Sequence, residues 1–344
     1  MELTVNHLLH EATSIDDLEG AACYFPLANG RYEVKPGLVG FGTDFGNGQA
    51  DQQVFQIDNG FAHYRQMKLQ ARAERLDKYY QTHDYSDGAA GAIAHFIIDR
   101  LCQEHPDHFQ TQPARDGLVF HCQLTGETLS LDANGQLQGV HTQATPVSPP
   151  YTSTLDALVL QIQDDLTAVS RVDGHHWVSA IHLCYPNHWS AAAKIGKDFA
   201  TIHAPVAGME TMNRRAGAIV NTMITRRPAV RFAWGLSTDT RLNHHPESPP
   251  NIAASEWQGR HFDPQNPRLY LRIERQVVWG FPEVDAALFT IRTYFRDCRV
   301  LKQDSQLRSH LCSAIQSMSP ASLTYKGLAD SKAEILAWLA SPDT

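Results

Sequence analysis

The chain contains no C-x-x-C. Its six cysteines, Cys23, Cys102, Cys122, Cys184, Cys298 and Cys312, are scattered. That spacing excludes a thioredoxin-type redox pair, a zinc ribbon and a C-x-x-C-H attachment for covalent haem. It suggests reduced, mostly buried thiols. Long apolar runs are missing too. No stretch of 18 apolar residues occurs, so no transmembrane helix is expected. The opening MELTVNHLLHEATSIDDLEG is acidic and lacks an apolar core, so it does not read as a signal peptide, and the expected location is the cytoplasm. Positive charge is short: 29 Lys and Arg face 37 Asp and Glu, a net charge of −8. This balance argues against a nucleic-acid or anionic-membrane partner, both of which need a positive field. No P-loop, H-E-x-x-H or G-x-S-x-G is present, so kinase-like and serine-hydrolase readings have no support. Gly40, Gly42 and Gly46 miss the dinucleotide fingerprint by one residue. No internal repeat is visible.

What is present fits a globular protein. Apolar residues make up 42% and charged residues 19% of 344, values ordinary for a packed core. At roughly 150 residues per domain, the length suggests one large domain or two smaller ones. The expected division is a loop-rich and helical extension over residues 1–115, followed by a core over 116–344. Histidine is plentiful at 18, most of it assigned to the surface.

Apolar spacing predicts helices around Phe61–Tyr80 and Ala89–Glu104, the second stopped by Pro106. GLVFHCQL and ETLSLD read as a hairpin. A helix is expected over Leu155–Val169, then a strand through WVSAIHLCYP. A loop and a helix should fill Asp198–Thr225, and AVRFAWGLSTD should form another strand. RLYLRIERQVVW and ALFTIRTYFR read as a hairpin joined by GFPEVDA, and a last helix spans Lys332–Leu339. The class is α+β with an antiparallel sheet.

Three constellations could carry chemistry. Alternation in the hairpin places Tyr270, Arg272, Glu274 and Gln276 on one face of its first strand, and Leu288, Thr290, Arg292 and Tyr294 on one face of its second. Either these charged faces meet solvent, with cross-strand pairs worth about 0.2–1 kcal/mol each, or Arg272, Glu274, Gln276, Arg292 and Tyr294 line a polar cavity. The second constellation holds Trp189, Lys194 and His203. Pro205 biases Ala204 towards an extended backbone, which would put His203 on a stiff support suited to a metal ligand, although the spacing taken alone favours a packed, hydrogen-bonded loop histidine. The third, His182, Cys184 and His188, has metal-ligand spacing, but Pro186 ends the strand before His188, so a joint site is poorly defined.

KIGKDFATIHAPVAG (194–208), LRIERQ (271–276) and LFTIRTY (288–294) resemble a bacterial family typified by the α subunit of haem-dependent oxidative N-demethylase, or dimethylamine monooxygenase. PNHW, VRFAW and YKGL support the likeness, which spans roughly residues 35–340. The resemblance implies a PAS-like antiparallel sheet whose helices clasp a haem b, making residues 116–344 the haem-binding core. It implies oxidative N-demethylation of a small secondary amine such as dimethylamine, with O2 as co-substrate. Electrons would come from NADPH through FMN and a 2Fe-2S cluster in a separate flavin/iron–sulfur reductase subunit. A tetrahydrofolate-binding subunit would accept the formaldehyde unit. It also implies His203 as axial ligand to the iron and Glu274 as the carboxylate that meets the amine. Arg272, Arg292 and Lys194 would serve the haem propionates, Trp189 and Gln276 would add to the cofactor pocket, and Tyr294 would complete the polar network with Arg292. The alternatives are a haem-based PAS-like gas or redox sensor, or a haem-free ligand-binding protein. Two departures bear on pocket shape: Val277–Pro282 replaces the usual run after ERQ, and Ala233 stands where the family usually has Asn.

Overall fold

The computed structural model describes residues 9–142, 144–258 and 261–342. Its frame is a seven-stranded sheet, antiparallel at every pairing. Chain order gives β1 (Val39–Gly40), β2 (Tyr80–Thr82), β7 (Asp165–Val172), β8 (His175–His182), β9 (Ala229–Ser237), β10 (Tyr270–Phe281) and β11 (Ala286–Asp297). Across the sheet they run β1-β9-β10-β11-β7-β8-β2. Both edges therefore come from the N-terminal stretch. A separate four-stranded meander holds β3 (Phe109–Ala114), β4 (Gly117–Cys122), β5 (Glu127–Asp132) and β6 (Leu137–Thr142).

The anticipated helices α1 (Phe61–Tyr79) and α2 (Asp87–Glu104) are present, the latter capped by Ser86, which accepts from the Ala89 N–H at 3.2 Å. The helix expected over Leu155–Val169 is not. α3 stops at Val159 after starting at Thr154, and the chain re-enters as strand β7 at Asp165. Apolar residues continue through both pieces, so periodicity alone could not place the break. Buried Gln161, Gln163, Asp164 and Asp165 mark the crossing.

One face of the sheet is fully covered. α2 and the meander pack Ile93, Ile97, Phe120 and Leu129 against Val277, Phe281 and Leu288. C-terminal helices α8 (Cys298–Gln303), α9 (Ser305–Gln316), α10 (Pro320–Tyr325) and α11 (Lys332–Ala340) cover Leu271, Ile273 and Tyr294. The opposite face is covered only in part. There α4 (Phe199–His203), α5 (Glu210–Asn213) and α6 (Ala216–Thr225) lie between β8 and β9 in sequence. α6 seats Val220 and Ile224 on Val169 and Ala287, and Gly280 lets it approach: a Cβ there would stand 2.1 Å from the Ile224 carbonyl oxygen.

Candidate functional site

Register decides which charged residues meet. The connection Pro282–Asp285 pairs Phe281 with Ala286, so Glu274 stands opposite Thr293 and Ile273 opposite Tyr294. Arg272, Glu274 and Gln276 therefore share a face with Thr293, Ile291 and Phe295, not with Arg292 and Tyr294. The cavity grouping of all five residues is corrected on this point. Arg292 and Tyr294 lie on the covered face, each under 2% exposed. Arg292 donates to Asp58 Oδ2 at 2.6 Å and is sandwiched by the Tyr64 and Tyr294 rings at 4.0 and 4.6 Å. The Tyr294 hydroxyl bonds Gln56 Oε1.

On the partly covered face, Glu274 is the centre. Gln276 Nε2 donates to its Oε2 at 3.0 Å, and Arg272 Nε stands 3.8 Å from its Oε1. Across β9 its neighbours are small: Ala233 opposite Glu274 and Gly235 opposite Arg272. A Cβ added at Gly235 would touch only Lys326 Nζ, at 4.0 Å. Lys194, Arg231 and Lys326 all feel the Glu274 charge. Burial lowers all three, Lys194 to about 8, and Glu274 opposes the shift in each case. With Arg272, four cations share the region of Glu274, Arg272 standing nearest at 3.8 Å.

Their free donors differ. Arg272 gives Nη1 to the Leu242 carbonyl at 3.2 Å and Nη2 to the Tyr185 carbonyl at 2.7 Å, so its fork is committed and only Nε faces Glu274. Arg231 keeps a buried Nε without a protein partner. Lys194 rests over the Trp189 ring at 4.8 Å and bonds the Ile202 carbonyl at 3.1 Å. Lys326 bonds the Trp234 carbonyl at 2.8 Å.

His203 closes the group from the helical side. It ends α4, whose first turn is capped by Asp198 through the Thr201 N–H at 2.8 Å. Ala204 is helical at φ −53° and ψ −36°, not extended. The preference of a residue before proline yields here to the helix end, where the Val206 N–H bonds the His203 carbonyl at 3.0 Å. His203 Nδ1 donates to the Phe199 carbonyl at 2.8 Å, and the Phe199 ring lies 4.2 Å from the imidazole. Nε2 keeps its lone pair. Burial, then Lys194 and Arg231, push this histidine down to about 4, and the Phe199 bond opposes them. The imidazole is therefore neutral at ordinary pH.

The structure brings Glu274, Gln276, Arg272, Lys194, Trp189 and His203 to one side of the sheet. Arg231 and Lys326 belong with them and were not singled out in the sequence. Both lie in segments carrying the family likeness, VRFAW and YKGL, but only the fold brings them within reach of the Glu274 charge. The third constellation separates. His182 Nε2 bonds Asp156 at 3.1 Å, its Nδ1 lies 3.7 Å from Cys184 Sγ, and His188 instead stacks on His244 at 5.4 Å. Among the described residues no group of three or more His, Cys, Asp or Glu could hold a metal ion, and no helix is long and apolar enough to cross a membrane.

A family model described as haem-dependent oxidative N-demethylase, alpha subunit-like, matches residues 47–336, which is 290 of the 344 positions.

Proposed function

This chain belongs to the haem-dependent oxidative N-demethylase alpha-subunit-like family, and from that premise we propose that it binds a haem b on the open face of its sheet, that His203 would hold the iron, and that it oxidatively demethylates a small secondary amine such as dimethylamine. The observation that carries this reading is a neutral His203, its Nδ1 committed to the Phe199 carbonyl, on a side of the sheet where four cations and one carboxylate gather.

The donor set suits the group. A histidine ligand commonly gives its other N–H to a backbone carbonyl, which fixes ring and tautomer, as Phe199 does here. Porphyrin carboxylates need cations left unmatched by protein anions. Lys194, Arg231 and Lys326 would supply them, and the buried Nε atoms of Arg231 and Arg272 on this face have no protein hydrogen bond. Arg272 has no free fork and is better placed to orient Glu274. Arg292 and Tyr294, on the far face, would stiffen the sheet beneath the site. The five central strands, counted in chain order, lie 2-1-5-4-3 across the sheet, with α4–α6 filling the crossover from second to third. We hold this to be a PAS-like sheet.

When bound, haem supplies the iron at which O2 is reduced. The chain does the rest. Glu274 carries a negative charge where a dialkylammonium would lie, and such a pair satisfies a half-buried carboxylate. Gln276 holds Oε2 and Arg272 Nε faces Oε1 at 3.8 Å, so the carboxylate is oriented to accept from an ammonium N–H. Trp189 supports Lys194 and narrows the entrance beside it. The family description names a subunit. No flavin or iron–sulfur motif was found in the chain, so a partner reductase using NADPH, FMN and a 2Fe-2S cluster would deliver electrons, and a tetrahydrofolate-binding subunit would take the one-carbon unit.

Purified protein should show a Soret band that His203→Ala abolishes while far-ultraviolet circular dichroism is kept. Dimethylamine should shift the band, and Glu274→Gln should keep the band but weaken that shift about tenfold, the loss of one charged contact at roughly 1.4 kcal/mol. Full haem occupancy with an unchanged spectrum in His203→Ala would remove the ligand assignment.

A further inference from the structure

α4 has five residues and buries none of them. A helix that short does not hold its own shape in water, so the orientation of His203 must come from outside it. The sheet supplies it. At β8, Gly196 N–H bonds the Val178 carbonyl at 2.9 Å and Val178 N–H bonds the Lys197 carbonyl at 3.0 Å. Two residues earlier on the same strand, His176 makes the next rung with its ring. The Phe199 N–H donates to His176 Nε2 at 3.2 Å. Because Nε2 accepts this bond, the proton of the neutral ring is assigned to Nδ1. Phe199, held by its N–H, then holds His203 twice, by its carbonyl at 2.8 Å and by its ring at 4.2 Å.

We infer that His176 is a positioning residue for His203, acting through Phe199 to fix the ring and tautomer of the imidazole. The inference rests on His203 being the haem ligand. His176 touches neither cofactor nor substrate in this arrangement. Its contribution is to tie a five-residue helix to a rigid strand, so that the ligand's tautomer and tilt are set before the cofactor arrives. Partners of this kind typically change affinity about 10–100-fold when removed.

The test uses the full-length, haem-loaded protein with His176→Phe, which fills the ring's space without an acceptor, and His176→Gln, whose Oε1 restores one. The readouts are the iron–imidazole stretching band of the ferrous protein in resonance Raman and the rate of haem transfer to apomyoglobin. His176→Phe should shift the band and speed transfer about tenfold. His176→Gln should stay near wild type. In haem-free protein, amide exchange at Phe199 should quicken about fivefold in His176→Phe, the loss of one net hydrogen bond. If His176→Phe matches wild type in band and transfer rate while His203→Ala lacks the band, this inference falls and the ligand assignment stands. If wild type itself shows no iron–imidazole band, the ligand assignment fails and takes this inference with it. Equal disturbance by Phe and Gln would mean that ring shape, not the acceptor, matters, and would also overturn it.

Discussion

At the scale of single residues, the chain concentrates its electrostatic risk in a few fully buried groups. Arg72, Arg272, Arg275, Arg292 and Lys68 are all under 2% exposed, and carbonyls or carboxylates answer nearly all of them. Lys68 Nζ, for example, donates to the carbonyls of Val159 and Ile162 at 2.9 and 3.0 Å. Asp164 is the exception. Both its carboxylate oxygens lack a protein hydrogen bond. Burial raises its carboxyl from 3.8 to about 7, with Arg292 and Lys68 opposing. A raised value in the folded state means that the native protein keeps a proton the unfolded chain has already released. The stability this supplies is whole below about pH 4 and is lost as pH climbs through about 7. Asp164→Asn has similar shape and cannot titrate. Between pH 4 and 7 its unfolding free energy should therefore rise relative to wild type, by on the order of a few kcal/mol. Above pH 8 the difference should be flat. Urea titrations at several pH values measure this directly, and parallel curves for the two proteins would mean the carboxylate is ionised throughout.

At the scale of elements, alternation made β8 to β11 legible, because half-buried strands repeat with period two. The same periodicity hid the parity of the hairpin. Arg272–Glu274–Gln276 and Arg292–Tyr294 are both polar sets, and pairing them on one face is as reasonable on paper as separating them. The four-residue connection settles it, since a shift of one residue moves every side chain to the other face. His203, Glu274 and Lys194 are candidates that spacing and resemblance single out in the sequence, whereas only the tertiary fold brings Arg231 and Lys326 near Glu274. α4 to α6 carry a different constraint. α6 rests with its last carbonyls on Gly280, where a Cβ would meet the Ile224 and Met223 carbonyl oxygens at 2.1 and 2.6 Å. Backbone cannot yield as a flexible side chain can. Gly280→Ala should therefore lower stability by about 1–3 kcal/mol, read as a lower urea midpoint with an unchanged slope. A midpoint equal to wild type would show that α6 is free to lift from the sheet.

At the scale of the whole molecule, the expected boundary near residue 115 crosses the most heavily buried polar contacts in the fold. Asp58 answers Arg292 at 2.6 Å, and Arg72 answers Asp156, all four at most 4% exposed in their side chains. The Tyr64 hydroxyl bonds the Thr293 carbonyl at 2.7 Å, and its ring covers the Arg292 guanidinium. Both edge strands, β1 and β2, also come from before residue 115. We propose on this ground that residues 1–115 and 116–344 form one cooperative unit. A chain beginning at Asp116 would take Asp58 from Arg292 and Arg72 from Asp156, leaving each buried charge without its ion-pair partner from the first segment. Each such loss costs about 3–5 kcal/mol, and two already rival the roughly 5–15 kcal/mol that holds a typical domain together. The shortened chain should thus lack a near-ultraviolet circular dichroism signal and a cooperative thermal transition, even where helix content survives. Native-like near-ultraviolet bands and a sharp transition would instead mark 116–344 as a domain that folds alone, with the preceding segment a removable cover.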